Sequence, residues 1–216
     1  MADKHLLLDF GGVCLLNPVE IHRELERSLG IPQGTLTWMG PLDPSTDPLW
    51  QQLMSAEITE RQYWHQRARD VGVAAGKGDD WTLRDYMTAC YDLPEEVILR
   101  PEAQKMVDAC HAAGRKAGVL TNDLCAFHGP QWVDSIRFFQ SLDALTDASQ
   151  TGILKPDPRA YQQALDDLGV KREEVVFVDD QPLNVQGARD FGIATVYFDV
   201  ADPQRSWAEA RELLSL

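Results

Sequence analysis

The second half of the chain alternates segments of helical periodicity with short apolar runs, and this alternation most constrains the fold. Strands that alternate with helices in this way form a parallel sheet through right-handed crossover connections. From Pro101 onward the sequence therefore predicts an α/β core. Its predicted strands are Lys116 to Leu120, Leu142 to Leu145, Glu174 to Val178 and Ile193 to Phe198.

A further buried strand, His5 to Asp9, precedes this alternation and is separated from it by a long block of different character. The block is rich in Trp, Arg and Gln, and Val19 to Leu29 has the apolar spacing of an amphipathic helix. We therefore predict a Rossmann-like parallel sheet core with an α-helical cap domain inserted after the first strand. The predicted boundaries are residues 1–17 and 94–216 for the core and residues 18–93 for the cap.

Most aromatic and charged side chains of the inserted block have structural interpretations. Four tryptophans are expected to form the core of the cap, namely Trp38, Trp50, Trp64 and Trp81. Arginines are expected on solvated helix faces, although one could reach an anionic substrate, and they are Arg23, Arg27, Arg61, Arg67 and Arg69. The histidines His22 and His65 are expected to be structural or to lie on the surface.

The chain is strongly acidic, with a formal net charge of −14 over 216 residues. Such a surface repels nucleic-acid phosphates and anionic lipid head groups, so we expect neither nucleic acid nor a membrane as a partner. A small anionic substrate is compatible with this charge because a local lysine or metal ion reverses the potential inside a pocket. The cysteines lack zinc-site spacing, and no long apolar run opens the chain. We therefore expect a cytoplasmic protein, and the sequence leaves a monomer and a homodimer open as alternatives.

Polar and charged residues follow several of the predicted strands, where open α/β sheets bind their ligands. The predicted site residues are Asp9, Thr121, Asn122, Lys155, Asp179 and Asp180. A carboxylate at the end of a buried strand is costly unless it is paired or bound to a metal. Together these residues offer the oxygen ligands that Mg²⁺ prefers, a cation for anionic oxygens and an aspartate that can accept a phosphoryl group.

Four segments in this order resemble the motifs of the haloacid dehalogenase superfamily of hydrolases, in its helical-cap (C1) subfamily. They are Asp9-Phe10-Gly11-Gly12-Val13, Leu120-Thr121-Asn122, Lys155-Pro156-Asp157-Pro158 and Val178-Asp179-Asp180. The resemblance covers residues 4–16 and 94–200, and the ordered set is much more specific than any one motif.

The resemblance implies a role for each of these residues. The implied catalytic residues are the nucleophile Asp9 and Lys155, which steadies nucleophile and substrate. The implied substrate-binding residues are Thr121, Asn122, Lys155, Gly11 and Gly12. The implied Mg²⁺ ligands are Asp9, the backbone carbonyl of Gly11, Asp180 and Asp179, with Asp180 preferred over Asp179.

The chain departs from the family pattern at Gly11. Phosphatases of the family normally carry a second aspartate there, whose side chain protonates the leaving group and then activates water. The backbone carbonyl of that aspartate binds the metal. Gly11 can supply this carbonyl but no proton-transfer group, and Asp123 and His128 are the nominees for a displaced acid/base.

These observations predict an enzyme, namely a Mg²⁺-dependent phosphatase of a small phosphorylated metabolite that works through an aspartyl-phosphate on Asp9. A 2-haloacid dehalogenase is the alternative, because a halide leaves without a proton, although related dehalogenases do not depend on Mg²⁺. A third hypothesis is a catalytically impaired member that binds a ligand or a protein partner.

Overall fold

The structure is a computed structural model that describes residues 4–216, and its central feature is a five-stranded parallel sheet. The strands are β1 (His5–Leu8), β2 (Ala117–Thr121), β3 (Ala144–Asp147), β4 (Val175–Asp179) and β5 (Ala194–Tyr197). Their order across the sheet is β3-β2-β1-β4-β5, and each neighbouring pair is parallel. The predicted α/β fold with a parallel sheet is confirmed.

Helices connect the strands and make up the block inserted after β1. In chain order they are α1 (His22–Leu29), α2 (Pro48–Met54), α3 (Glu60–Ala74), α4 (Leu83–Tyr91), α5 (Glu95–Ile98), α6 (Pro101–Ala112), α7 (Leu124–His128), α8 (Pro130–Ser135), α9 (Pro158–Leu168), α10 (Pro182–Phe191) and α11 (Pro203–Leu214). Within residues 4–216, no helix has the length and apolarity needed to span a bilayer.

The chain forms two compact units, which are described separately. The core unit comprises the residues up to Leu16 together with Glu95–Leu216, and it contains the whole sheet. The inserted unit comprises Asn17–Pro94 and contains α1 to α4.

Both faces of the sheet are covered, because consecutive residues of β1, Leu6 to Leu8, are all buried. Helix α9 packs against β2 and β3, and α10 packs against β4 and β5. Helices α6 and α11 also pack against the sheet, on β1 and β2 and on β4 and β5 respectively. The main core cluster consists of Leu7, Leu120, Tyr161, Ala164, Leu165, Val175, Phe177, Ala188 and Ile193.

The strand order reverses at β1, which pairs with β2 on one side and with β4 on the other. Asp9, the residue after β1, therefore lies at the same edge of the sheet as Thr121 and Asp179, the last residues of β2 and β4. A reversal of this kind opens a crevice at the carboxyl ends of the strands, where open α/β sheets bind ligands. The fold thus gathers three of the predicted site residues.

A buried polar cluster organises the inserted unit. Asp47 is fully buried and accepts hydrogen bonds from the backbone N–H of Trp50 and from the Tyr63 hydroxyl, each at 2.8 Å. Arg67 forms an ion pair with the same carboxylate. The expectation that Arg67 lies on a solvated helix face is therefore wrong, because Asp47 holds its guanidinium in the interior. The predicted packing of Trp50 and Trp64 is confirmed, since both rings are buried and contact Tyr63.

Candidate active site

Four of the predicted site residues come together at the carboxyl ends of the central strands. Asp9 follows β1 directly, and its backbone N–H donates to the carbonyl of Val178 in β4 at 2.8 Å. Thr121 and Asp179 end β2 and β4, and Lys155 reaches the same place from the loop before α9. All four of the side chains are buried.

Lys155 is the electrostatic centre of this cluster. Its ammonium group donates to Asp9 Oδ1 at 2.6 Å, to Asp179 Oδ2 at 2.7 Å and to a backbone carbonyl of β2 at 3.0 Å. Burial by itself would lower the pKa of Lys155. The carboxylates of Asp179 and Asp9 together raise it by more than burial lowers it, so the pKa lies above its ordinary value. Lys155 is therefore cationic at physiological pH and has the contacts needed to orient Asp9.

Protein donors engage both carboxylate oxygens of Asp179. Its Oδ1 accepts from the backbone N–H of Gln181 at 2.8 Å and from the Asn184 amide at 3.2 Å. Its Oδ2 accepts from Lys155 at 2.7 Å and from Asn184 at 3.2 Å. Asp179 is therefore best suited to hold Lys155 in position, and its neighbour Asp180 is the better candidate for a metal ligand.

The donor set fits a magnesium ion. Asp9, Asp179 and Asp180 are buried, and each offers a carboxylate oxygen within 4.8 Å of the others. Lys155 pairs with two of these carboxylates, Asp9 and Asp179, so the three negative charges exceed the one neighbouring positive charge and a divalent cation would balance the excess. Oxygen ligands are also those that Mg²⁺ prefers.

The two glycines after Asp9 differ in what they require. Gly12 has a φ of +76°, and a Cβ at this position would lie 2.3 Å from Asp180 Oδ2. Only glycine therefore lets the chain pass so close to Asp180. A Cβ at Gly11 would meet no atom within 4 Å, so packing does not require glycine there.

The two polar residues of the second motif have different surroundings. The Thr121 side chain is buried, and within residues 4–216 no hydrogen-bond partner is recorded for its hydroxyl, which suits it to a ligand. Asn122 uses both polar atoms of its side chain on the backbone of Lys155, at 2.8 and 3.2 Å. The Asn122 amide therefore fixes the loop that carries Lys155, and its contact with phosphate stays a prediction.

His128 is unsuited to replace the proton donor missing at Gly11. Its ring stacks on Trp132 with a centroid separation of 4.2 Å. Burial lowers the pKa of His128 to about 3, so the imidazole is neutral near pH 7 and carries no acidic proton for a leaving group. Asp123, the other nominee, is buried at the start of α7.

Sequence reasoning missed two residues that contact the backbone of the nucleophile loop. The Cys14 thiol donates to the carbonyl of Asp9 at 3.2 Å, and the Arg100 guanidinium donates to the carbonyl of Gly12 at 3.2 and 3.3 Å. Arg100 precedes a proline and resembles an ordinary helix start. No local pattern shows that its side chain reaches a loop 88 residues earlier.

Comparison with known proteins agrees with this geometry. The model of the haloacid dehalogenase-like hydrolases matches residues 4–192. The chain is 44% identical over 211 residues to mouse bifunctional epoxide hydrolase 2, covering 91% of this chain and 36% of that protein. It is 28% identical to the phosphatase MT3486 of Mycobacterium tuberculosis, covering 69% of this chain and 65% of the relative.

The chain is also similar to a dehalogenase. The chain is 33% identical to (S)-2-haloacid dehalogenase 4A of Burkholderia cepacia, over 53% of this chain and 48% of that enzyme. It thus spans less than two thirds of the length of each of these three relatives.

The structure of the magnesium-bound HAD-hydrolase YfnB from Bacillus subtilis superposes with a TM-score of 0.70 at 16% identity, covering 100% of both chains. That likeness concerns the fold. The family model, by contrast, spans well over half of the sequence, and the chain therefore belongs to the haloacid dehalogenase-like hydrolases.

Proposed function

We propose that this hydrolase is a Mg²⁺-dependent phosphatase of a small phosphorylated metabolite and that Asp9 accepts the phosphoryl group. The observation that carries the proposal is the cluster of three buried carboxylates, two of which form ion pairs with Lys155. An excess of negative charge opposes the approach of a phosphate unless a cation is present, and the donor set fits such a cation. A phosphoryl-transfer site needs this combination, because its catalysis consists mainly of positioning and charge neutralisation.

The proposed reaction begins at the carboxylate of Asp9. Lys155 binds Asp9 Oδ1, so we assign the attack on phosphorus to Asp9 Oδ2. The bond from phosphorus to the leaving oxygen breaks, its electron pair stays with the leaving group, and an aspartyl-phosphate forms on Asp9. Water then attacks phosphorus, the bond from phosphorus to the Asp9 oxygen breaks with its electron pair on the restored carboxylate, and inorganic phosphate departs while the surplus proton of the water passes to solvent.

The remaining groups hold the substrate and stabilise the transferred charge. We assign to the Thr121 hydroxyl the donation of a hydrogen bond to a phosphate oxygen, and Lys155 contributes a fixed positive charge. Asp9, Asp180 and the Gly11 carbonyl are the groups that would hold Mg²⁺. When bound, Mg²⁺ neutralises charge on the oxygens of the transferred phosphoryl group.

The absence of a side chain at Gly11 restricts the proposed substrate to compounds with a good leaving group. A positioned acid/base typically accelerates proton transfer about 10²–10⁴-fold, and an alkoxide leaves slowly without that help. Acyl phosphates and other substrates whose leaving group is stable as an anion do not need the proton. We therefore propose acyl phosphates as the favoured class.

A panel of phosphorylated compounds, assayed with and without Mg²⁺, tests this function. We expect phosphate release from acetyl phosphate that depends on Mg²⁺ and is lost in Asp9→Asn, with much slower release from alkyl and sugar phosphates. No phosphate release from any member of the panel would refute the proposal. Thermal-shift measurements with Mg²⁺ and phosphate analogues would then show whether the site binds ligands without turnover.

The second candidate function is hydrolysis of a 2-haloacid. Gly11 favours it equally, because a halide leaves as an anion and needs no acid, and a relative of this chain is an (S)-2-haloacid dehalogenase. The two functions differ in their requirement for a cation. Halide release from 2-chloropropionate in the presence of a chelator, without phosphate release from acetyl phosphate, would assign the chain to this second class.

Three further expectations stay predictions from the sequence. They are the role of the inserted unit as a substrate-selecting cap, the cytoplasmic location, and the monomeric or homodimeric state.

A further inference from the structure

Arg100 makes a contact with the nucleophile loop that none of the four motifs includes. The residue is 7% exposed and lies at the N-cap position of α6. Its Nε and Nη2 atoms donate to the carbonyl oxygen of Gly12 at 3.3 and 3.2 Å. A buried guanidinium is costly unless its donors are used, and the Gly12 carbonyl is one of the acceptors that Arg100 uses.

The backbone around Arg100 is also joined to the chain that follows the nucleophile. The N–H of Arg100 donates to the carbonyl of Cys14 at 2.8 Å, and the N–H of Leu16 donates to the carbonyl of Ile98 at 2.8 Å. Leu15 and Leu99 form an antiparallel bridge between these two hydrogen bonds. These backbone hydrogen bonds fix the position of the Arg100 main chain, from which its side chain extends to Gly12.

The two glycines of the contacted loop have no side chains with which to fix the local backbone. Gly11 and Gly12 are consecutive, and glycine loses more conformational freedom on folding than any other residue. Gly12 must also keep its φ of +76° beside Asp180, where a Cβ would lie 2.3 Å from a carboxylate oxygen. An external donor to the Gly12 carbonyl supplies the missing restraint.

We propose that Arg100 is a positioning residue for the active site. Its guanidinium fixes the Gly12 carbonyl, so that the Gly11 carbonyl is presented toward Asp9 and Asp180 and the loop keeps its close approach to Asp180. The part of the inference that concerns Mg²⁺ rests on the proposed function. The part that concerns the loop geometry does not.

Arg172 offers a control within the core unit that is matched in its contacts, although it is exposed and Arg100 is buried. Its Nη1 donates to the carbonyl of Phe191 at 3.0 Å, and its guanidinium lies 4.6 Å from the centroid of the Phe191 ring. Arg100 combines a carbonyl contact with a ring contact in the same way, at 5.5 Å from Phe198. Arg172, however, lies before β4, at the opposite end of that strand from the site.

The experiment compares Arg100→Gln and Arg100→Lys with Arg172→Gln and Arg172→Lys in the full chain. Mg²⁺ affinity is measured by calorimetry without substrate, kcat and KM are measured with acetyl phosphate, and ¹⁵N-glycine NMR spectra report Gly11 and Gly12. We expect Arg100→Gln to weaken Mg²⁺ binding and lower kcat about 10–100-fold, as is typical when a residue that orients a metal site is removed. Arg100→Lys should recover part of this loss, and neither Arg172 variant should show it.

The NMR spectra keep the inference testable if the chain has no phosphatase activity or does not bind Mg²⁺. Large shifts or broadening of the Gly11 and Gly12 signals in Arg100→Gln, with other glycine signals unchanged, would support the positioning role. Unchanged Gly11 and Gly12 signals, or changes in Mg²⁺ affinity and kcat that only match the fraction of unfolded protein, would overturn it.

Discussion

By the resemblance of its motif, Gly11 stands where we expect phosphatases of this family to carry an aspartate, and the space beside its α-carbon is open. A Cβ there would meet no atom within 4 Å, and the residue does not adopt the left-handed φ that Gly12 requires. A β-carbon can therefore be added at this position without a clash and without a left-handed backbone. The effect of an acid/base group at this position can therefore be tested by substitution of Gly11.

We predict that Gly11→Asp accelerates hydrolysis of alkyl phosphates about 10²–10⁴-fold, because the new carboxyl group can protonate the leaving oxygen. Hydrolysis of acetyl phosphate should change much less. The matched control is Gly11→Asn, which has the same shape but cannot transfer the proton. Equal rates for the Asp and Asn variants would contradict the assignment of this position.

Lys155 holds two buried carboxylates, and its loss should therefore affect stability as well as activity. Removal of one partner from a buried ion pair typically costs about 3–5 kcal/mol, because uncompensated charge remains in the interior. We predict a loss of this size in the free energy of unfolding of Lys155→Met, measured by urea denaturation near neutral pH. The exposed Lys105, replaced in the same way, should change stability by no more than about 0.5 kcal/mol.

At the scale of elements, most helices and strands follow from periodicity, and the exceptions arise where tertiary contacts override it. The predicted strand Leu142 to Leu145 is observed as β3, Ala144–Asp147. Its last two residues are polar and look like a loop in sequence, but they pair with Leu120 and Thr121 of β2. Asp147 ends the strand, and its side chain accepts a hydrogen bond from the backbone N–H of Cys125 at 2.8 Å. The predicted strand ends at Leu145, so the sequence does not indicate this contact.

The main charged residues of the candidate site could be predicted from the sequence, but their contacts could not. Asp9, Lys155 and the acidic pair of Asp179 and Asp180 stand out because charges at the ends of buried strands have few structural explanations. The separate duties of Asp179 and Asp180 could not be read from the sequence, because they depend on which oxygen Lys155 and Asn184 contact. The contacts of the Asn122 amide and the Arg100 guanidinium could not be predicted either, because they too depend on which residues the fold brings together.

Helix α1 begins with a histidine that gives the inserted unit a pH-dependent stability. Both ring nitrogens of His22 are buried without a hydrogen-bond partner, and its ring meets Trp38 at a centroid distance of 5.5 Å. Burial, opposed by nearby Glu26, lowers the pKa of His22 to about 4. The folded state therefore resists protonation of this ring, whereas the unfolded state takes up a proton near the ordinary pKa of about 6.5.

The sign of the effect follows from this difference. Above about pH 6.5 both states are neutral at His22, and the residue adds no pH dependence. As the pH falls from about 6.5 to about 4, only the unfolded state gains the proton, so up to about 3 kcal/mol of stability is lost. We predict that urea denaturation across this range shows a smaller loss in His22→Phe than in the wild type. The exposed His65, replaced in the same way, should leave the loss unchanged.

For the whole molecule, the net charge of −14 makes nonspecific attraction of cations a concern for any test with Mg²⁺. Specific binding stabilises the folded state in proportion to the logarithm of ligand concentration above Kd, by about 2.7 kcal/mol at a hundredfold excess. We predict that Mg²⁺ raises the Tm of the wild type and that Asp180→Asn abolishes this increase. The exposed Asp134, replaced in the same way, should retain it. An equal Tm increase in both variants would indicate diffuse screening without a site.

The central claim is that Asp9 accepts a phosphoryl group, and detection of that group on the protein tests it most directly. The wild-type chain is mixed with acetyl phosphate and Mg²⁺, quenched in acid and digested, and its peptides are analysed by mass spectrometry. We predict that the peptide containing Asp9 carries one phosphoryl group and that the Asp9→Asn variant carries none. Phosphate release at an unchanged rate in Asp9→Asn, with no phosphorylated Asp9 peptide in the wild type, would contradict the account.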